Sequence, residues 1–310
     1  MRPLEWKSCV LPLSDRAVVA YAPRMATPWD RAAKGYVEEW VPRFVPYHLD
    51  LVTELKLLPG QHVLVTCAGP GAEVLAAARA VGEHGKVVAT DASREMIAIC
   101  AEKVAAAGFK NVECRQADAL DASGGPWDAI ICAFGLWQLP DRVSVLSAWG
   151  KQLALDGKIG VLTWGPPEED DPFERIGRCL AHVEPGYSAP SPRILSERDS
   201  MALMFEEAEL SMVRHTVVRH TLTFRSAEAF VTAVREACTW RKIWEEIGDE
   251  RLGRVAARFY GLVGGPDAPL SWDPPATMAI AGHPGADIQI ESRRASVRVP
   301  ATPSSKPTIG

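Results

Sequence analysis

The segment from His62 to Gly71 (HVLVTCAGPG) limits what this chain can fold into more than any other stretch. Val63 to Thr66 is a short apolar, β-branched run of strand length. Ala68-Gly69-Pro70-Gly71 breaks it, and Ala72 to Val81 resumes with good helix formers. Strand, tight glycine loop and helix form the unit by which an α/β sheet offers backbone N–H groups to a ligand at its carboxyl edge. Glycine serves there because a side chain would block close approach and because such turns often need positive φ. The loop alone is equally consistent with a plain turn, so its meaning depends on the elements downstream in the chain.

Lys86 to Asp91 (KVVATD) reads as a second strand, ending in a carboxylate twenty residues after Gly71. An acid at that place can accept from both hydroxyls of a ribose. Ser93 then reads as a helix N-cap, followed by Glu95 and by apolar residues at Met96, Ile97, Cys100 and Val104, which is helical spacing. A third strand, Asn111 to Gln116, runs into Ala117-Asp118-Ala119; a fourth, Trp127 to Ala133, ends at Phe134-Gly135. A doubly wound sheet brings such strand ends together, and the fold class predicted is α/β.

With these elements in this order, residues 30 to 165 resemble the class I S-adenosylmethionine-dependent methyltransferases, in the branch that includes ubiquinone and menaquinone biosynthesis methyltransferases. Val63-Leu64 through Gly69-Pro70-Gly71 looks like the family's first motif, and Thr90-Asp91-Ala92-Ser93 with Met96 like its second. Gln116-Ala117-Asp118-Ala119 looks like the adenine-side motif, Trp127 to Ile131 like the fourth strand, and Leu153 to Lys158 like the turn before strand five. The resemblance implies a Rossmann-like, seven-stranded doubly wound sheet, N-terminal helices folded over the site, and S-adenosyl-L-methionine as cofactor. It implies that Gly69 and Gly71, with Cys67 and Ala68, approach the methionine part of the cofactor, and that Asp91, beside Ala92, binds the ribose. Met96 would pack on the adenine, Asp118 accept from its amino group, and Ala119 offer a backbone N–H. Phe134 and Gly135 would line the amino-acid end, near Tyr36. Trp137 and Tyr36 are expected to touch the methyl acceptor. Three departures stand out: Val65 where the family usually has an acid, Cys67 where it usually has glycine, and Trp137-Gln138 where relatives often carry paired histidines.

Hydrophobic residues make up 47% of the 310, enough for a sizeable core. A net charge of −5 argues against a nucleic-acid or anionic-membrane partner, and no run of eighteen apolar residues offers a membrane span. Lys7, Asp15, Arg16 and Arg24 interrupt any signal-peptide pattern. The seven cysteines, at 9, 67, 100, 114, 132, 179 and 238, are widely spaced, without a Cys-x-x-Cys. They read as reduced residues of a cytoplasmic protein, with no metal site; Cys67, beside the glycine loop, is a candidate reactive thiol. The ten tryptophans read first as core packing.

Residues 1–28 read as irregular, Trp29 to Val45 as a helix limited by Pro42 and Pro46, and residues 47–57 as a second helix. Pro140 to Leu153 reads as a helix, Asp156-Gly157 as a turn, and Lys158 to Trp164 as strand five. Helices are predicted over 173–183, 197–209, 226–247 and 250–263, one strand over 213–224 and a last sheet strand over 274–282. The organisation expected is an N-terminal helical segment (1–57), a cofactor-binding core (58–165), a mostly helical substrate cap (166–263), a final strand (264–283) and a disordered tail (284–310).

The function expected is in-line transfer of the cofactor's methyl to a small apolar or aromatic acceptor, quinone-like or a secondary metabolite. A base is needed only if the nucleophile starts protonated and weak; His48, His182, His215 and His220 are candidates by type, and none is singled out. Two alternatives remain. A glycine loop with a distal acid also serves NAD in oxidoreductases, although position 74 is Val where Gly-x-Gly-x-x-Gly needs glycine. A methyltransferase-like binding protein without activity is the other, given Val65, Cys67 and the missing histidines.

Overall fold

The computed structural model describes residues 22–187, 195–236 and 238–286. Two helices open the chain, α1 (Ala22–Glu39) and α2 (Val41–Leu55). Then β1 (His62–Thr66), α3 (Ala72–Val81), β2 (Lys86–Asp91), α4 (Arg94–Ala106) and β3 (Val112–Gln116) alternate. They are followed by β4 (Trp127–Ala133), α5 (Arg142–Lys151) and β5 (Leu153–Trp164). The remainder is α6 (Pro172–Val183), α7 (Arg198–Glu207), β6 (Ser211–Arg219), β7 (Leu222–Phe224), α8 (Ala227–Glu236), α9 (Cys238–Val263), β8 (Leu270–Trp272) and β9 (Pro275–Gly282).

Alternation along the strands builds two cores. Val63 and Val65 of β1, Val87 and Ala89 of β2, and Ala129 and Ile131 of β4 enter one core; Leu64, Val88 and Ile130 enter the other. Strands buried on both faces read as unbroken apolar runs, which is how these stretches appear in the sequence. Helices α2, α3 and α4 cover the first face, α5 and α7 the second. The seven strands stand in the order β3-β2-β1-β4-β5-β9-β6. β3, β2, β1, β4 and β5 run parallel, and β9 lies antiparallel between β5 and β6. Strand order reverses between β1 and β4, and such a switch point opens a crevice at the strands' carboxyl ends.

Several boundaries differ from the sequence reading. The first helix starts at Ala22 and carries Pro28 inside it, so residues 22–28 are not irregular. It ends at Glu39, and a new helix begins with Pro42 in its first turn, where a missing N–H costs nothing. Strand five begins at Leu153 and pairs irregularly with β4 between Trp127 and Ala129 before the regular register from Lys158. The single strand expected over 213–224 is two. β6 ends at Arg219, and β7 pairs with β8 in a separate sheet. His220 marks the break: its backbone N–H donates to, and its carbonyl accepts from, the Tyr47 hydroxyl, and its ring meets Asp50 at 2.7 Å. Helix α9 is broken at Gly248 (φ 77°), where the boundary expected after Ile247 falls, whereas the single helix expected over 226–247 is divided between α8, which ends at Glu236, and α9, which begins at Cys238. The expected irregular segment 1–21, Cys9 and the tail from 287 lie outside the described residues.

The segment 166–263 divides between two places. α7 and β6 belong to the main sheet and the second core, whereas α6, α8 and β7 pack with α1 and α2 on the first. Trp40, at the α1–α2 junction, centres that packing. Its ring lies 5.3 Å from Phe173, 5.5 Å from Phe224 and 5.4 Å from Phe44, and Nε1 donates to Ala233 O at 2.9 Å. Trp240 and Trp244 stack on each other, both buried. These tryptophans therefore build core; they do not line the cavity at the strand ends.

Candidate functional site

A cavity opens at the carboxyl ends of β1, β2 and β4, with α1 and α2 over it. Tyr36, Cys67, Ala68, Gly69, Asp91, Ala92, Met96, Asp118, Ala119, Phe134 and Gly135 all line it. Of the residues expected to contact the cofactor, only Gly71 does not. Its role is local: at φ 84° it turns the chain into α3, and a Cβ there would fall 2.5 Å from Cys100 Sγ. Trp137 is not part of the lining; its ring packs against the second core while the next residue, Gln138, faces the cavity. Among the described residues, none from 166–263 lines it either.

The glycine loop is shaped by hydrogen bonds to the neighbouring strand. Ala68 N donates to Thr90 O at 2.9 Å and Gly69 N to Asp91 Oδ2 at 2.8 Å. Ser93 N donates to Asp91 Oδ1 at 2.8 Å. One carboxylate thus ties two loops together and still keeps lone pairs for further donors. Burial pushes the Asp91 carboxyl up to about 6, against the downward pull of the two amides and with a further rise from Glu73 and Asp30. Cys67 (φ 52°) and Phe134 (φ 56°) end β1 and β4 in the left-handed region, which disfavours side chains. The chain keeps at Cys67 the backbone shape that suits glycine, at a cost of about 1–2 kcal/mol. The Cys67 thiol is held well above its ordinary range by its hydrogen bond with Cys132 and by burial. Both effects disfavour the thiolate that a reactive cysteine needs. Val65 is fully buried in the first core.

The third loop is fixed from below. Asp118 Oδ1 accepts from Leu120 N at 2.9 Å, Trp149 Nε1 donates to Ala119 O at 2.7 Å, and Trp127 Nε1 to Ala122 O at 2.8 Å. Two core tryptophans thereby set the position of the Asp118–Ala119 turn. Met96 is buried on the first turn of α4, whose N-cap is Ser93.

Helix α1 is fastened across the opening by contacts that sequence reasoning missed. Asp30 Oδ1 accepts from Ser93 Oγ at 2.5 Å and from Glu95 N at 3.2 Å; Trp29 Nε1 donates to Gln138 Oε1 at 3.2 Å. No local signal marks Asp30 or Gln138, because each acts through a residue more than sixty positions away. Tyr36 stands edge-on to Trp29 at 5.3 Å, and burial, with Glu73 and Asp91 nearby, raises its hydroxyl above the ordinary tyrosine range.

Two further polar residues face the cavity, His48 of α2 and Glu73 of α3. Of the four histidines named by type, His48 alone lines it. His220 pairs with Asp50 beside Tyr47, His215 lies on β6, and His182 is exposed on α6. Glu73, Asp91 and Asp118 contribute carboxylates, and among the described residues no Lys or Arg lines the cavity. Such a cavity favours a ligand that carries positive charge.

A methyltransferase-domain family model matches residues 63–157. The demethylmenaquinone methyltransferase of Alkalihalophilus pseudofirmus is 31% identical over 186 residues, covering 55% of this chain and 79% of that protein. The nocamycin O-methyltransferase of Saccharothrix syringae is 27% identical over 250 residues, 74% of this chain and 88% of its own length. Among solved structures, the cyclase SpnF superposes with a TM-score of 0.57 at 13% identity, covering 85% of this chain and 97% of that one, a likeness of fold. The relative that is 31% identical and covered over 79% of its length shows the family: the chain belongs to the class I S-adenosylmethionine-dependent methyltransferases, in the quinone methyltransferase branch, and its cofactor is S-adenosylmethionine.

Proposed function

We propose that this methyltransferase acts on a small apolar or aromatic acceptor, quinone-like or a secondary metabolite, and that the cavity at the strand ends holds its cofactor. The observation that carries the reading is the meeting of the Gly69 loop, Asp91, the Asp118–Ala119 turn and Phe134-Gly135 on one cavity at the sheet's switch point. Backbone around Gly69 would receive the methionine part, Asp91 the ribose hydroxyls, Met96 the adenine face, and Asp118 with Ala119 the adenine edge. Phe134, Gly135 and Tyr36 would flank the amino-acid end, and α1, held by Asp30 and Gln138, would close over it. The substrate class is supported by the aromatic walls that Trp29, Tyr36 and Phe134 give the cavity, and by the activities for which the two relatives are named.

The bound cofactor supplies an activated methyl group on a sulfonium. What the chain itself must do is hold the acceptor in line and exclude water, a contribution of about 7–11 kcal/mol in favourable cases. The cavity carries Glu73, Asp91 and Asp118 with no Lys or Arg among the described lining residues, a balance that suits a cationic sulfonium better than the anionic pyrophosphate of NAD. Calorimetric titration with S-adenosylhomocysteine, with NAD alongside, tests the reading. Micromolar or tighter binding of S-adenosylhomocysteine and none of NAD is expected. Failure to bind S-adenosylhomocysteine would favour a silent binding protein, and binding of NAD would overturn the assignment.

A further inference from the structure

One pair in the cavity is left unused by the proposed cofactor contacts. Glu73, in the first turn of α3, has a side chain 1% exposed; His48, on α2, is 12% exposed, and its Nδ1 lies 2.9 Å from Glu73 Oε2. The distance is that of a hydrogen bond, yet Nδ1 and both carboxylate oxygens are buried without an aligned partner. Catalytic pairs without ligand are often misaligned in this way and tighten when the site fills. The His48 ring stands edge-on to Phe134, with centroids 5.5 Å apart. With Nδ1 turned to the carboxylate, Nε2 is the ring nitrogen left to take up a proton. A buried carboxylate is costly unless it is partnered, and among the described residues His48 is the one basic side chain lining this cavity.

We propose that His48, oriented by Glu73, is the general base of the reaction, and that the acceptor is a phenol or enol, methylated on oxygen. This rests on the methyltransferase reading of the same cavity. The acceptor O–H bond breaks as an N–H bond forms at His48 Nε2. The electron pair left on oxygen forms the bond to the methyl carbon, and the pair of the carbon–sulfur bond goes to sulfur, neutralising the sulfonium. The imidazolium then gives its proton to solvent. A hydroxyl is the group that needs this help: a phenol of pKa about 10 is almost wholly protonated at neutral pH, whereas a neutral amine attacks without a base. Glu73 is a positioning residue, and His48 the residue that touches the acceptor.

The test compares wild type, His48→Gln and Glu73→Gln in single-turnover transfer from radiolabelled S-adenosylmethionine. The acceptors are 2-naphthol, a nitro-substituted naphthol already ionised at neutral pH, and an aminonaphthalene. S-adenosylhomocysteine affinity and melting temperature are measured for each variant. Expected is transfer to 2-naphthol that falls about 10²–10⁴-fold in His48→Gln and by a smaller factor in Glu73→Gln, with cofactor affinity retained. The deficit is expected to shrink on the ionised naphthol, a change that a purely structural role would not produce. Equal deficits on both naphthols, loss of cofactor affinity in the variants, or wild-type transfer to the amine alone or to no naphthol would each overturn the proposal. A wild type unable to bind S-adenosylhomocysteine would instead fail the cofactor reading, so the two failures are distinguishable.

Discussion

Asp91 shows how one side chain links architecture to binding. Its two oxygens already accept Gly69 N and Ser93 N, and burial holds its carboxyl near 6 against an ordinary 3.8. A protonated carboxyl has fewer lone pairs for ribose hydroxyls. Affinity for S-adenosylhomocysteine is therefore expected to fall as the pH drops through 6, by about tenfold per unit below it, with a proton released on binding in that range. Folding stability of the free protein runs the other way: the raised value contributes most below 3.8, and that contribution is lost as pH rises through about 6. Calorimetry in two buffers of different ionisation enthalpy reads the proton release directly. Asp91→Asn should bind weakly and without this pH dependence; the same slope in Asp91→Asn would place the titrating group elsewhere.

At the level of elements, the notable device is the attachment of α1 to the N-terminus of α4. Asp30 accepts from Ser93 Oγ and Glu95 N, so a carboxylate from one helix satisfies a free amide at the start of another, where the helix dipole also favours it. Arg31 adds an exposed pair with Glu245 of α9 at 3.3 Å, worth little on its own. Asp30→Ala is expected to cost about 1 kcal/mol, to raise amide hydrogen exchange across residues 22–39, and to weaken cofactor binding severalfold without altering the sheet. Unchanged exchange in α1 would mean that its packing on α2 and α8 holds it without this contact.

For the whole molecule, the aromatic cluster around Trp40 decides that the N-terminal helices and the later helices share one core. Trp40 touches Phe173 of α6, Phe224 of β7 and Phe230 beside the Ala233 carbonyl that it bonds. Trp40→Ala leaves a large cavity and removes the indole hydrogen bond to Ala233 O, an expected loss of about 3–5 kcal/mol. A melt followed by circular dichroism should show the main transition fall by on the order of 10 °C. A change near zero would mean that the helices over the site are anchored mainly by the sheet.

Sequence by itself determined what is local. Alternation placed β1, β2 and β4 between two cores, the glycines marked the loop before α3, and strand-end positions marked Asp91, Asp118 and Phe134-Gly135, all of which line one cavity. Only the tertiary structure decided what is distant. It chose Gln138 over Trp137 as the residue facing the cavity, brought His48 to Glu73 across twenty-five positions, and put Asp30 against Ser93. It also turned the tryptophans of the later helices into core and set β9 between β5 and β6. The physical reason is that periodicity reports which face of an element is buried, while the partner of that face depends on how whole elements pack. A strand end has one place to go in a doubly wound sheet; a polar side chain on a helix has many.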